Sequence, residues 1–270
     1  MSEITLEELL EAGCHFGHQV TRSNPKARDF IFEARDGIHI IDLAKTKEGL
    51  EEAISYVRNL AANPAATLLI VGTKRQARPV VVDNIKKAKE ADASEGLYFV
   101  TEHWIGGFLT NFSEVSRNFK KLETLTRNLS SDEEKSKFTK KEVGDWEKEK
   151  KKLEILYGGI KDVKKSPDAI FVVDARLEEL AIKEANKTGV TTVAIVDTNA
   201  DPNAVDYPIP ANDDAVGSIG LIVGFIMDAW IEGRLKGQKA KEKTEKKEET
   251  KKLSKTKSAS GGEKKNEKNS

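Results

Sequence analysis

Residues 67–75, TLLIVGTKR, carry an unbroken run of apolar and β-branched side chains into a glycine and a basic turn. A strand open to water on one face alternates apolar and polar residues, so this run predicts a strand covered on both faces and ended by a βα turn. Working outward, Leu50, Ile54, Val57 and Ala61 form a helical stripe before it, and a second helix is expected over about 75–91. Further β-rich runs lie at 97–100, 169–173 and 192–196, with a helix around 177–187 between the last two. Strands that alternate with helices predict an α/β fold. The expected architecture is a mostly parallel sheet flanked by helices, flavodoxin-like or Rossmann-like.

Two segments fall outside that alternation. Near the start, Thr5 and Glu8 have capping-box spacing ahead of Leu6, Leu9 and Leu10, and Asp36-Gly37 separates two apolar runs as a hairpin turn would. Between 111 and 160 the chain is highly charged, yet Phe112, Val115, Phe119, Leu122 and Leu129 keep one near-heptad stripe. Val143, Trp146, Leu153 and Ile160 keep another, which predicts an inserted antiparallel coiled-coil helical hairpin projecting from the sheet. The expected organisation is an α/β domain over 1–110 and 161–235, the hairpin over 111–160, and a disordered tail over 236–270. That tail holds 13 Lys against 6 Glu, a surplus of seven, so the zero net charge conceals a body with a deficit of seven. An acidic body argues against a globally basic nucleic-acid binder, and any such surface has to be local.

Several classes lose ground on composition. The apolar stretch 215–227 stops at Asp228 and falls short of the roughly 20 residues of a spanning helix, so it is expected to be a buried core helix. A single cysteine, Cys14, forms no internal disulfide, and no targeting segment is evident; the expected setting is cytoplasmic. The GTK turn at 72–74 offers backbone amides to a phosphate but lacks the glycine–lysine spacing that wraps a nucleotide triphosphate. No dinucleotide fingerprint is present, and VGSIG at 216–220 lacks the first glycine of a nucleophile elbow.

Metal chemistry has two candidates. Cys14, His15 and His18 cluster but lack a second ligand pair, so satisfied loop histidines are expected. Asp197, Asp201, Asp206, Asp213 and Asp214 crowd the segment after the last long strand. They would suit a hard cation, and they equally suit tight turns and a cap, Asn212 or Asp213, for the final helix.

Taken in order, HFGHQ at 15–19, NPK at 24–26, HIIDL at 39–43, Lys45-Thr46, GTK at 72–74 and WIGGFLTNF at 104–112 resemble the family of the second small-ribosomal-subunit protein. Pro167-Asp168, IKEA at 182–185, DTNADP at 197–202, Ile209-Pro210 and NDDA at 212–215 continue the resemblance, which covers about 4–233. It departs at Ser23, His103 and Gly217, where the family usually has a tryptophan, an arginine and a basic residue. The resemblance implies a structural protein bound to small-subunit rRNA near the junction of head and body. It further implies a role in recruiting the large first small-subunit protein, with neighbouring small-subunit proteins as other partners. No catalysis, cofactor, metal, membrane contact or homo-oligomer is expected. Expected RNA contacts are Lys26, Arg28, Lys74, Arg75, Trp104 and Asn111, with GTK serving as a phosphate-contacting turn. The competing class is a nucleotide-binding α/β enzyme that uses the GTK turn and the aspartate-rich loops.

Overall fold

The computed structural model describes residues 4–260, except the side chains of 132, 240 and 242–260. Helix α1 (Leu6–Glu11) starts at the expected capping box: the Thr5 hydroxyl accepts from the Glu8 amide, and Glu8 returns the bond to the Thr5 amide. Strand β1 (Phe16–Gln19) follows, then β2 (Ile31–Arg35) and β3 (Ile38–Ile41), paired antiparallel in the order β1-β3-β2. Asp36 and Gly37 join β2 to β3 with φ of 51° and 79°, the left-handed pair that a tight hairpin requires.

Helix α2 (Leu43–Ala61) leads into β4 (Leu68–Val71), α3 (Ala77–Glu90) and β5 (Leu97–Val100). The insertion supplies α4 (Phe112–Ser130), α5 (Asp132–Ser136) and α6 (Lys140–Tyr157). The chain then returns through β6 (Ala169–Val172), α7 (Glu179–Thr188), β7 (Thr191–Val196), β8 (Tyr207–Pro210) and α8 (Val216–Ser260). The second sheet is parallel throughout, ordered β5-β4-β6-β7-β8, the flavodoxin-like winding.

Both faces of that sheet are covered, which explains the unbroken apolar runs. Leu68, Ile70, Phe171, Val193 and Ile195 point into a core shared with α1, α2, α3 and α8. Their neighbours Leu69, Val71, Ile170, Val172 and Val196 point into a second core shared with α4, α7 and the end of α6. Each fully buried branched side chain contributes about 1.5–3 kcal/mol. Gly72 is needed where α3 crosses β4, because a Cβ there would lie 2.9 Å from Val81 Cγ2.

Helix α8 is long and apolar enough to cross a membrane by composition, but its apolar residues Ile219, Ile222, Val223, Ile226 and Trp230 are core. It reads as the expected buried helix. The Trp230 indole donates to the Ala93 carbonyl, and Arg234 stacks on the same ring while donating to the carbonyls of Asn63 and Ala66. The expected tail of 236–270 therefore begins inside α8, and Gln238 still donates to the Asp92 carbonyl. Residues 261–270 lie outside the described residues.

Strand β8 of the parallel sheet is unforeseen in the sequence, as is β1 of the small antiparallel sheet. Pro208 and Pro210 look like turn residues, yet β8 lies at the edge of the sheet, where a missing ladder donor is tolerated. In the insertion, α4 and α6 pack on each other, with Lys121 paired to Glu149 and the Asn118 amide donating to the Tyr157 hydroxyl at 2.9 Å. Its root belongs to the sheet. Val115, Phe119, Leu122, Tyr157 and Ile160 lie in the same buried cluster as Leu69 and Val71, rather than in an arm held apart from the domain.

Candidate functional site

All five parallel strands deliver their carboxyl ends to one edge, where open α/β sheets carry ligand-binding loops. The winding reverses between β4 and β6, and the loops after those strands meet there. In this protein that crevice is closed by its own side chains. The Thr73 hydroxyl hydrogen-bonds Glu178, and the Lys74 ammonium contacts Asp174 at 3.0 Å, Asp213 at 2.7 Å and Asp214 at 2.7 Å.

Lys74 was expected to present its charge outward, but its side chain is only 15% exposed and three carboxylates surround it. Burial works against its charge, and those neighbours outweigh burial and raise its pKa. An ammonium neutralised in this way has little left for a phosphate, which removes the GTK turn as a nucleotide site and undercuts the enzymatic alternative. Asp213 is pushed up to about 7, first by burial and then by the charges of Asp174 and Asp197.

The N-terminal segment lies across the ends of β7 and β8. Asn212 accepts the Asp214 and Ala215 amides ahead of α8, so of the two candidate caps Asn212 takes the role and Asp213 is free to face Lys74. The Asn212 amide and side chain donate to the Cys14 and Gly13 carbonyls, and the His18 amide donates to the Thr198 hydroxyl. His18 Nδ1 stands 3.1 Å from Asp197, a bond that raises the imidazole pKa. Cys14 is buried and Ser218 donates to the Asn212 carbonyl, so neither has a nucleophile's setting. Of the five crowded aspartates, Asp197, Asp213 and Asp214 converge. Asp201 instead caps a short turn and pairs with Lys26, while Asp206 accepts from Thr192 at the opposite end of β7.

The remaining expected contacts divide by exposure. Asn24 caps the turn over Pro25–Phe30, which holds Lys26 and Arg28 on the surface, and Arg75 is exposed beside Lys74. Asn111 is exposed at the start of α4. Trp104 is 4% exposed and its indole N–H points to Glu184 at 3.3 Å, so it supports the 104–110 loop from inside rather than offering a face. Sequence reasoning missed Arg22 and Arg176, which line one cleft with Ser23, Asn24 and Asn199. Arg176 lies in the loop after β6, a position visible only once the strand order is known.

Comparison with known proteins identifies the family. A family profile described as Ribosomal protein S2 matches residues 9–233. The small ribosomal subunit protein uS2 of Petrotoga mobilis (strain DSM 10674 / SJ95) is 45% identical over 234 residues, covering 87% of this chain and 78% of the relative. The chain therefore belongs to the ribosomal protein S2 family, a structural constituent of the cytoplasmic ribosome's small subunit rather than an enzyme.

Proposed function

We propose that this protein binds small-subunit rRNA near the junction of head and body through the carboxyl edge of its parallel sheet. The observation that carries the reading is the sorting of cations there. Lys74 is neutralised from within, while Arg22, Arg28, Arg75 and Arg176 are all exposed and form no ion pair among the described residues. Arg22 and Arg176 line one cleft, and guanidinium groups so placed suit phosphate oxygens, which they can bind bidentately. Lys26 joins them by exchanging its exposed pair with Asp201 for a phosphate, and Asn111 adds a neutral donor. A few local contacts of this kind fit a body that is acidic overall.

Recruitment of the large first small-subunit protein belongs to the same proposal. Leu6, Leu10, Phe16 and Phe32 are 48%, 52%, 50% and 72% exposed along the N-terminal segment, an apolar surface that suits a protein rather than RNA. The test of the RNA reading is filter binding of the full chain to small-subunit rRNA across a salt series. Alanine at both Arg22 and Arg176 should weaken binding and lower the salt slope by about one for each lost phosphate contact. Unchanged affinity and slope would move the RNA surface elsewhere.

A further inference from the structure

We propose that His18, Asp213 and Asp214 form a binding site for one divalent transition-metal ion, zinc by preference, which fastens the N-terminal segment to the loop after β8. The three residues each offer a ligand atom, and these atoms lie within 4.8 Å of one another. Asp213 supplies the independent observation. Its residue is fully buried, Oδ1 is taken by Lys74, and Oδ2 has no hydrogen-bond partner. A buried carboxylate oxygen left unpaired is costly, and a cation is the partner that satisfies it most directly.

The rest of the geometry agrees. Asp214 also gives Oδ1 to Lys74 and keeps Oδ2, which stands 3.5 Å from His18 Nε2. That separation is long for a good hydrogen bond, but it matches the edge of about 3.4 Å expected between ligands at zinc-bond lengths in a tetrahedron. His18 Nδ1 is held by Asp197, the carboxylate–histidine arrangement that fixes an imidazole and turns its other nitrogen toward a metal. Charge points the same way: Asp174, Asp197, Asp213 and Asp214 surround Lys74 and His18 and leave an excess of negative charge. Asp214 is 55% exposed and the cleft beside it is lined by Gly17, Gln19 and Asn212, so solvent can reach a fourth coordination position. An imidazole with two carboxylates selects zinc-like ions over magnesium or calcium, which require more oxygen ligands.

Because Arg22 of the proposed RNA surface lines the same cleft, the site is tested without RNA, on the isolated full-length chain stripped with chelator and titrated with zinc by calorimetry. One zinc per chain is expected, with a higher melting temperature and no displacement by excess magnesium. His18→Ala and Asp214→Asn should each weaken binding by at least about tenfold, the scale set even by outer partners of metal ligands. Asp201→Asn, on the neighbouring loop, should bind as the unaltered chain does. The wild-type protein gives a second readout that needs no variant: zinc should shift the His18 Nε2 resonance in nitrogen NMR. Absence of binding, an unmoved His18 resonance, or equal affinity in folded His18→Ala overturns the proposal.

Discussion

Glu184 shows how much one side chain can organise. It is 6% exposed on α7, and its two oxygens accept from the amides of Gly107, Leu109 and Thr110 and from the Trp104 indole. Burial alone would raise its pKa, but these donors outweigh burial and hold the carboxyl below its ordinary value of 4.5. A depressed carboxylate adds stability that is complete above that ordinary value and fades as pH falls through the folded value. Glu184→Ala should therefore cost about 3 kcal/mol, since it strands several buried donors at once. In urea unfolding, the gap between wild type and Glu184→Gln should be widest at neutral pH and shrink below 4.5; a gap independent of pH would refute this role. IKEA at 182–185 was recognisable in the sequence as a pattern, but its acceptor role was not, because its donors lie 74 to 80 residues away. Lys74 taught the same lesson in reverse: a basic turn looks solvent-facing until Asp174, Asp213 and Asp214 are brought to it.

Among the elements, the inserted hairpin divides into a root and a tip. Trp104, Phe108, Phe112, Phe119 and Tyr157 form a chain of edge-on rings with successive centroids 5.7, 5.8, 6.1 and 5.6 Å apart, running from the sheet edge into α4 and α6. Gly159 seals the root, because the Phe99 amide donates to its carbonyl and a Cβ at Gly159 would collide with the Phe99 carbonyl oxygen. The heptad stripes in the sequence made the two helices legible. They could not separate a seam between helices from a face laid on a sheet, since both demand the same spacing. The expectation of a hairpin over 111–160 that simply projects from the sheet is thus revised, because its root is part of the core. Replacing 127–150 with a short loop should preserve cooperative unfolding to within about 1 kcal/mol, since closure cost varies slowly with loop length. Replacing 111–160 should abolish the cooperative transition, and Phe119→Asp should cost about 3 kcal/mol or more by placing a charge in the core. Circular dichroism with urea decides it: a cooperative 111–160 deletion would show that the root is dispensable.

At the scale of the whole molecule, the switch point of the parallel sheet holds the ion pairs of Lys74 with Asp174, Asp213 and Asp214, and the proposed RNA surface lies on the exposed arginines outside it. The winding was legible as alternating strands and helices, and only the proline-bearing edge strand β8 escaped, along with the arginines that the strand order gathers at one edge. Net charge concealed this arrangement, because a surplus at the carboxyl end offsets an acidic body. The central claim is that the folded chain works as part of the small ribosomal subunit and is held there by those arginines. The most direct measurement is sucrose-gradient sedimentation of lysate from cells expressing tagged wild type or the variant with alanine at Arg22, Arg28, Arg75 and Arg176. Wild type should sediment with small subunits at about one copy each, and the folded variant should be shifted toward the top of the gradient, more so at higher salt. Wild type at the top of the gradient, or the variant remaining at full occupancy across the salt series, would contradict the account.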